Sequence, residues 1–200
     1  MNPLFPNEKI CLDLPDAVFE YYPHFLPLET ANNFFKILLN EIPWQQDDIC
    51  VFGKNYPQPR LTALFGNEGK SYKYSNIIMN PHPWNAPLLY LKQLVEQQCH
   101  HKFTTILLNL YRNERDSNGW HADNEKELGR DPIIASLSFG EERTFQIKHN
   151  SKKDTKQNIV LKHGSLILMK EGSQIHYKHQ IPKATSSKKA RINLTFRTIL

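Results

Sequence analysis

The sequence predicts a mainly β, α+β protein: a β-sandwich or jelly roll in the C-terminal half, with two helices before it. Three observations point there. Seven short apolar or alternating runs follow one another from residue 105 onward, separated by polar turns. Upstream, two stretches carry apolar residues at helical spacing. Finally, 200 residues of which 40% are hydrophobic suit one domain with a sizeable core.

In chain order, residues 1–25 are interrupted by Pro3, Pro6, Pro15 and Pro23 and read as an extended arm with one short strand. From Pro27 the pattern changes. Phe34, Phe35, Ile37, Leu38 and Ile42 fall at helical spacing with Glu29 in the first turn, which predicts a helix ending before Pro43, its apolar stripe packed on a sheet. Residues 44–69, with Gly53, Pro57, Pro59, Gly66 and Gly69, read as an irregular loop around the basic and aromatic segment 60–65. Tyr72 and Tyr74 alternate onto one face of a short strand, and the Pro-rich residues 80–84 form a turn. A second helix starts near Pro87 and turns Leu88, Leu91, Leu94 and Val95 inward. Cys99, His100 and His101 follow at its end, where adjacent side chains cannot all converge on a metal. The strand at 105–111 places Leu107, Asn109 and Tyr111 on one face and Ile106, Leu108 and Leu110 on the other. Further strands are expected at 133–139, 144–148, 159–161, 165–169, 175–181 and 191–199.

Composition narrows the function classes. The 25 basic against 20 acidic residues and a pI near 9.0 favour an anionic partner, nucleic acid first. Cys11, Cys50 and Cys99 lie far apart, so neither a disulfide framework nor a structural zinc site is indicated, and the cytosol is the expected compartment. Nothing resembles a signal peptide, and no apolar run approaches the roughly 18 residues that span a bilayer, which argues against a membrane role. Two Lys-rich loops, 148–156 and 183–191, read as solvated turns that could hold phosphates if they flank an active site.

The stretch Trp120-His121-Ala122-Asp123-Asn124-Glu125 carries the chemistry. On extended backbone a histidine and an aspartate two apart point to one side and can take neighbouring positions on a metal; a third ligand could come from His176 or His179. Two imidazoles and one carboxylate on one face of an octahedron leave three positions open, the arrangement of non-haem Fe(II) oxygenases. The tail Arg191-Ile192-Asn193-Leu194-Thr195-Phe196-Arg197 alternates without a break and puts Arg191, Asn193, Thr195 and Arg197 on one face. Two guanidinium forks on one face suit a dicarboxylate such as 2-oxoglutarate.

Together with Asn109-Leu110-Tyr111, residues 132–140, His163-Gly164-Ser165-Leu166 and His179-Gln180-Ile181-Pro182-Lys183, these motifs resemble the AlkB family of Fe(II)/2-oxoglutarate dioxygenases over about residues 57–200. Arg60-Leu61-Thr62-Ala63 and residues 110–114 look closest to its branch that repairs alkylated nucleic acids. The resemblance implies one domain over 1–200. Residues 1–100 would supply an N-terminal extension, supporting helices and a nucleotide-recognition lid, and 101–200 a double-stranded β-helix (jelly roll) catalytic core. It implies iron ligation by His121, Asp123 and His179, with 2-oxoglutarate held by Asn109, Tyr111, Arg191, Asn193, Thr195 and Arg197. A flipped base would be met by Arg60, Tyr72, Tyr74, Trp120 and Glu125. In the family, dioxygen and 2-oxoglutarate are consumed, succinate and CO2 are released, and an N-methyl group of 1-methyladenine or 3-methylcytosine leaves as formaldehyde. The implied protein is a monomer acting on alkylated DNA and RNA, cytoplasmic, or nuclear in a eukaryote. Asn124 departs from the pattern, since repair-branch relatives often have an acidic residue there. Two rival readings are the same iron chemistry on a protein or small molecule, and a nucleic-acid-binding module without catalysis.

Overall fold

Alternation in the C-terminal half resolves into two antiparallel sheets that share one apolar interior. The structure, a computed structural model, describes residues 9–51, 53–69, 72–74 and 77–200; the side chains of 50, 51, 72–74 and 77–79 fall outside the description. In chain order the elements are β1 (Ile10–Cys11), β2 (Val18–Tyr22), α1 (Leu28–Glu41), β3 (Asp48–Val51), β4 (Lys54–Pro57), β5 (Leu61–Gly66), β6 (Tyr72–Tyr74), β7 (Ile77–Met79), α2 (Ala86–Cys99), β8 (Thr105–Tyr111) and β9 (Asn118–His121). A 3-10 turn (Lys126–Leu128) then leads to β10 (Ile134–Gly140), β11 (Arg143–His149), β12 (Lys156–Leu161), β13 (Leu166–Lys170), α3 (Ser173–His176), β14 (Tyr177–Ile181) and β15 (Arg191–Arg197). Seven strands form the larger sheet in the order β1-β2-β13-β10-β15-β8-β5, and four form the smaller one in the order β12-β11-β14-β9.

The period-2 split of β8 decides the layering. Ile106, Leu108 and Leu110 join Leu137, Leu194 and Phe196 on the outer face of the larger sheet, where α1 and α2 cover them with Leu38, Leu88, Leu91 and Val95. Leu107 and Tyr111 turn the other way, toward Phe145, Ile147, Ile159 and Leu161 of the smaller sheet. Each such fully buried side chain contributes about 1.5–3 kcal/mol of hydrophobic stabilisation. Both helices begin and end as the sequence expects. Asn85 caps α2 by accepting the Leu88 amide at 3.0 Å, with Pro87 in the first turn, while α1 stops where Pro43 removes a donor and pushes Ile42 into extended backbone.

Four expectations need correction. The N-terminal arm holds two strands, and β2 is built into the larger sheet against β13, with Phe19 and Tyr21 buried on the inner face. Its pattern is masked by Glu20, whose charge is met by Lys9, Lys170 and the Tyr22 hydroxyl. Residues 44–69 hold a β3–β4 hairpin followed by β5, which pairs with β8 from Leu61↔Leu110 to Gly66↔Thr105; all of the segment 60–65 but Arg60 is an edge strand rather than a loop. Short apolar runs flanked by Gly and Pro support either reading until a partner strand is known. The run at 175–181 opens as the helical turn α3 and becomes strand only at Tyr177. Gly172 stands at the head of this turn with φ +75°, where a Cβ would run into the Asp16 carbonyl oxygen. Last, β9 ends at His121, so residues 122–125 leave the sheet. The short strand read at Tyr72 and Tyr74 is present as β6, paired with β7.

Candidate active site

β9 and β14 are cross-strand partners, and the pair His121↔His179 brings the two rings to a centroid separation of 4.3 Å. His121 has its Nδ1 2.7 Å from the Gly119 carbonyl. A carbonyl only accepts, so Nδ1 donates and the lone pair rests on Nε2, fixing the tautomer as a carbonyl partner does for histidines that bind metals. Asp123 lies two residues past the end of β9 and is held from two sides. Its amide donates to Gln174 Oε1 at 2.9 Å, and its Oδ1 accepts from Arg197 Nη2 at 2.7 Å. One ligand atom from each of His121, Asp123 and His179 can be chosen so that all lie within 4.8 Å of one another.

Electrostatics set these groups in the state a cation needs. Burial pushes the His179 imidazolium pKa down to about 3, with the neighbouring His121 adding to it. Burial also lowers that of His121, though the Asp123 charge opposes it. For Asp123 burial pulls upward, but the charge and hydrogen bond of Arg197 outweigh it and hold the carboxyl below its ordinary value. At neutral pH the cluster is therefore two neutral imidazoles and one carboxylate. His179 Nδ1 is buried with no hydrogen-bond partner among the described residues.

Next to this cluster runs the polar face of β15. Registers Arg191↔Tyr111 and Asn193↔Asn109 on one side, and Ser138↔Asn193 and Ser136↔Thr195 on the other, assemble one polar floor from three strands. Arg191 is 1% exposed; its Nη2 donates to Ser138 Oγ at 3.0 Å and Asn193 Oδ1 at 3.1 Å, and its guanidinium carbon stands 5.2 Å from the Tyr111 ring centroid. Asn193 also accepts from Ser136 Oγ and donates to Thr195 Oγ1, both at 2.8 Å. Burial lowers the Arg191 pKa to about 10, which leaves it charged at neutral pH, yet Nε and Nη1 have no acceptor in hydrogen-bonding geometry among the described residues. A buried cation with two unused donors is costly unless an anion binds there. One cavity between the sheets is lined by both the cluster and this floor, with Leu107, Phe145, Leu161 and Met169 as apolar walls.

A family model described as the 2OG-Fe(II) oxygenase superfamily matches residues 18–197, the span from the first residue of β2 to the last of β15. The chain belongs to that superfamily. Within it the chain falls in the AlkB family. It is 42% identical over 186 residues to alpha-ketoglutarate-dependent dioxygenase alkB homolog 3 of Bos taurus, covering 88% of this chain and 64% of that protein. The human protein of the same name is 41% identical over 89% of this chain and 65% of its own length. DNA oxidative demethylase ALKBH2 of Homo sapiens is 34% identical over 85% of this chain and 69% of that protein. The chain thus spans somewhat less than two thirds of the alkB homolog 3 relatives. The solved structure of OsALKBH1 aligns with a TM-score of 0.65 over 96% of this chain and 100% of that one, at 13% identity, which shows the jelly-roll fold.

An AlkB-family oxygenase uses Fe(II), 2-oxoglutarate and dioxygen, and the residues here fit the first two. The donor set is two neutral nitrogens and a carboxylate, and the buried Arg191 lines a cavity shared with it. Arg60 lies buried beside the floor, its Nε donating to Asn109 Oδ1 at 2.8 Å. Glu125 begins the 3-10 turn, half-buried, with Oε2 inaccessible and unpartnered among the described residues. Trp120 does not line the cavity: it points away from His121 to the outer face of the smaller sheet, 38% exposed, with Lys148 Nζ 4.2 Å above its ring. The side chains of Tyr72 and Tyr74 lie outside the described residues. His176 sits in α3, stacked on His149 and away from the cluster. Sequence reasoning missed Ser136, Ser138 and Gln174. The serines alternate with Leu137 and Phe139 and could have been placed on the polar face; Gln174 carried no such signal.

Proposed function

We propose that this chain is an oxidative demethylase that repairs 1-methyladenine and 3-methylcytosine in DNA or RNA, working as a monomer in the cytoplasm or nucleus. The observation that carries this is the juxtaposition of the His121, Asp123 and His179 donors with the unused donors of Arg191 across one cavity, in a chain with demethylase relatives. His121, Asp123 and His179 would hold Fe(II). When bound, iron supplies the activation of dioxygen that couples decarboxylation of 2-oxoglutarate to hydroxylation of the N-methyl group.

The protein's own residues orient and enclose. Arg191 binds the far carboxylate of 2-oxoglutarate through Nε and Nη1, with Ser138 and Asn193 fixing the guanidinium plane and Tyr111 backing it. Arg197 serves the carboxylate end nearest the metal and keeps Asp123 ionised and oriented. Asn109 and Thr195 complete the polar floor, and Arg60 steadies Asn109. Leu107, Phe145, Leu161 and Met169 exclude water from the reacting end. Glu125 meets the edge of the methylated base, whose positive charge, absent from the parent base, favours a carboxylate partner. The hydroxymethyl product then loses formaldehyde and leaves the unmodified base, with succinate and CO2 as the other products.

Succinate formation, measured with and without a single-stranded oligonucleotide carrying 1-methyladenine or 3-methylcytosine, tests this reading. The methylated oligonucleotide should stimulate succinate and release formaldehyde in equal amount, and the unmethylated one should do neither. Succinate that ignores the oligonucleotide would redirect the same iron chemistry to a protein or small-molecule substrate.

A further inference from the structure

The outer face of the smaller sheet carries a feature that the site between the sheets does not use. Along β11 the inward residues are Phe145, Ile147 and His149, so Thr144, Gln146 and Lys148 face outward. Registers place Lys148 directly opposite Lys156 of β12 on one side and Lys178 of β14 on the other. Three ammonium groups therefore stand in one cross-strand row, with Cβ atoms about 5 Å apart at each step. The next row is neutral and amide-bearing, Asn158-Gln146-Gln180, with Gln180 Nε2 bonded to Gln146 Oε1 at 2.6 Å.

Like charges directly opposite one another destabilise a sheet, so the row calls for a reason. Protection of a sheet edge is the ordinary one, but β11 and β14 are the two inner strands of this sheet. The strands themselves do not neutralise it either. The four strands contain no aspartate or glutamate, and none of the three lysines makes an ion pair among the described residues. What would offset the repulsion is an external polyanion. Trp120, exposed beside the row with Lys148 Nζ 4.2 Å over its ring, adds an aromatic surface. Lysines beside an exposed aromatic on a flat, polar sheet fit the chemistry of a single strand: ammonium groups for phosphates and an indole for a base. Two of the strands, β9 and β14, carry metal-ligand candidates on their reverse sides, Trp120 adjoining His121 and Lys178 adjoining His179.

We propose that the outer face of the smaller sheet, through Lys148, Lys156, Lys178 and Trp120, binds the phosphodiester backbone of single-stranded nucleic acid next to the base under repair. This rests on the demethylase reading, but its test does not depend on turnover. The affinity of the full chain for a fluorescent unmethylated 15-nucleotide single strand is measured by anisotropy over a series of salt concentrations, for wild type and for Lys148→Gln/Lys156→Gln/Lys178→Gln. Each phosphate contact contributes about 0.7 to the slope of log affinity against log salt for single strands, so the triple variant should lose about 2 from that slope and bind at least tenfold more weakly at moderate salt. Lys148→Arg/Lys156→Arg/Lys178→Arg, which keeps the three charges, should bind as wild type, and Trp120→Ala should weaken binding with the salt slope unchanged. In demethylation assays the Gln variant should show a raised KM on the long strand and unchanged kinetics on a methylated trinucleotide, too short to reach this face. Should the triple Gln variant misfold, single Lys156→Gln and Lys178→Gln variants should each remove about 0.7 from the slope. A wild-type affinity and slope in the Gln variants overturns the proposal, as does equal wild-type binding of a polyglutamate of matched charge, which would point to an acidic protein partner. Absence of methyl-dependent turnover alongside the expected binding changes overturns the demethylase reading alone.

Discussion

Arg191 is a buried cation, fixed by Ser138 and Asn193 on one nitrogen and backed by the Tyr111 ring, with Nε and Nη1 meeting no acceptor in hydrogen-bonding geometry among the described residues. Deleting its fork from a desolvated dicarboxylate site should cost about 2 to 5 kcal/mol of co-substrate binding. The expected outcome for Arg191→Ala is a steep rise in the 2-oxoglutarate concentration needed for half-maximal succinate formation, with Mn(II) affinity by calorimetry close to wild type. Arg191→Lys keeps the charge but not the planar fork, and should fall between the two. An unchanged co-substrate requirement in the alanine variant would take Arg191 out of the pocket. Much at this scale can be read without coordinates. His121, Asp123 and the alternating arginines announce themselves by spacing, because a strand's period of two maps sequence onto faces. Gln174 does not, since its role is to catch the Asp123 amide across 51 residues of sequence, a contact no local period encodes. The tie between Arg197 and Asp123, across 74 residues, is hidden for the same reason.

Among whole elements, the two helices and the late strands follow from apolar period and from turn residues, whereas β2 and β5 were obscured because each is short and lies beside proline or glycine. How the elements are fastened together is likewise a matter of single long-range groups. Glu96, buried on α2, takes Lys92 at 2.7 Å, Lys102 at 2.9 Å and the Phe103 amide at 2.8 Å, and so ties the helix to the entry of β8. Burial alone would raise its pKa, but those three partners outweigh it and hold the carboxyl below its ordinary 4.5. A folded-state pKa below the unfolded one means that the stabilisation is fully present above the unfolded value and is lost as pH falls through the folded one. Glu96→Gln keeps the shape and removes the charge, so at pH 7 it should destabilise by about 1–3 kcal/mol, the cost of weakened charge-assisted bonds. Urea unfolding at a series of pH values should show that difference shrinking as pH drops below 4.5. A gap that stays constant down to pH 3 would mean that packing around the α2 end, and not the carboxylate, holds the helix.

For the molecule as a whole, the question is whether the strands from residue 105 onward make a folding unit, as a division into an N-terminal layer and a C-terminal catalytic core would suggest. The strand order answers in terms of partners. β13 sits between β10 and β2, and β8 between β15 and β5, so both flanks of the larger sheet are supplied from before residue 100. Its outer face depends on the same region. Without α1 and α2, Ile106, Leu108, Leu137, Leu166, Leu168, Leu194 and Phe196, each fully buried in the intact chain, would form one continuous apolar surface in water. At roughly 1.5–3 kcal/mol per side chain, that loss is as large as the whole margin of about 5–15 kcal/mol by which a domain is stable. A fragment of residues 101–200 therefore keeps every metal-ligand candidate and both arginines and should still fail to fold: no near-UV circular dichroism, no cooperative thermal transition, and strong binding of a hydrophobic dye. If that fragment instead melted cooperatively, the sandwich interior between the two sheets would have to be sufficient by itself, and the helical layer would serve only to shield a face that tolerates water.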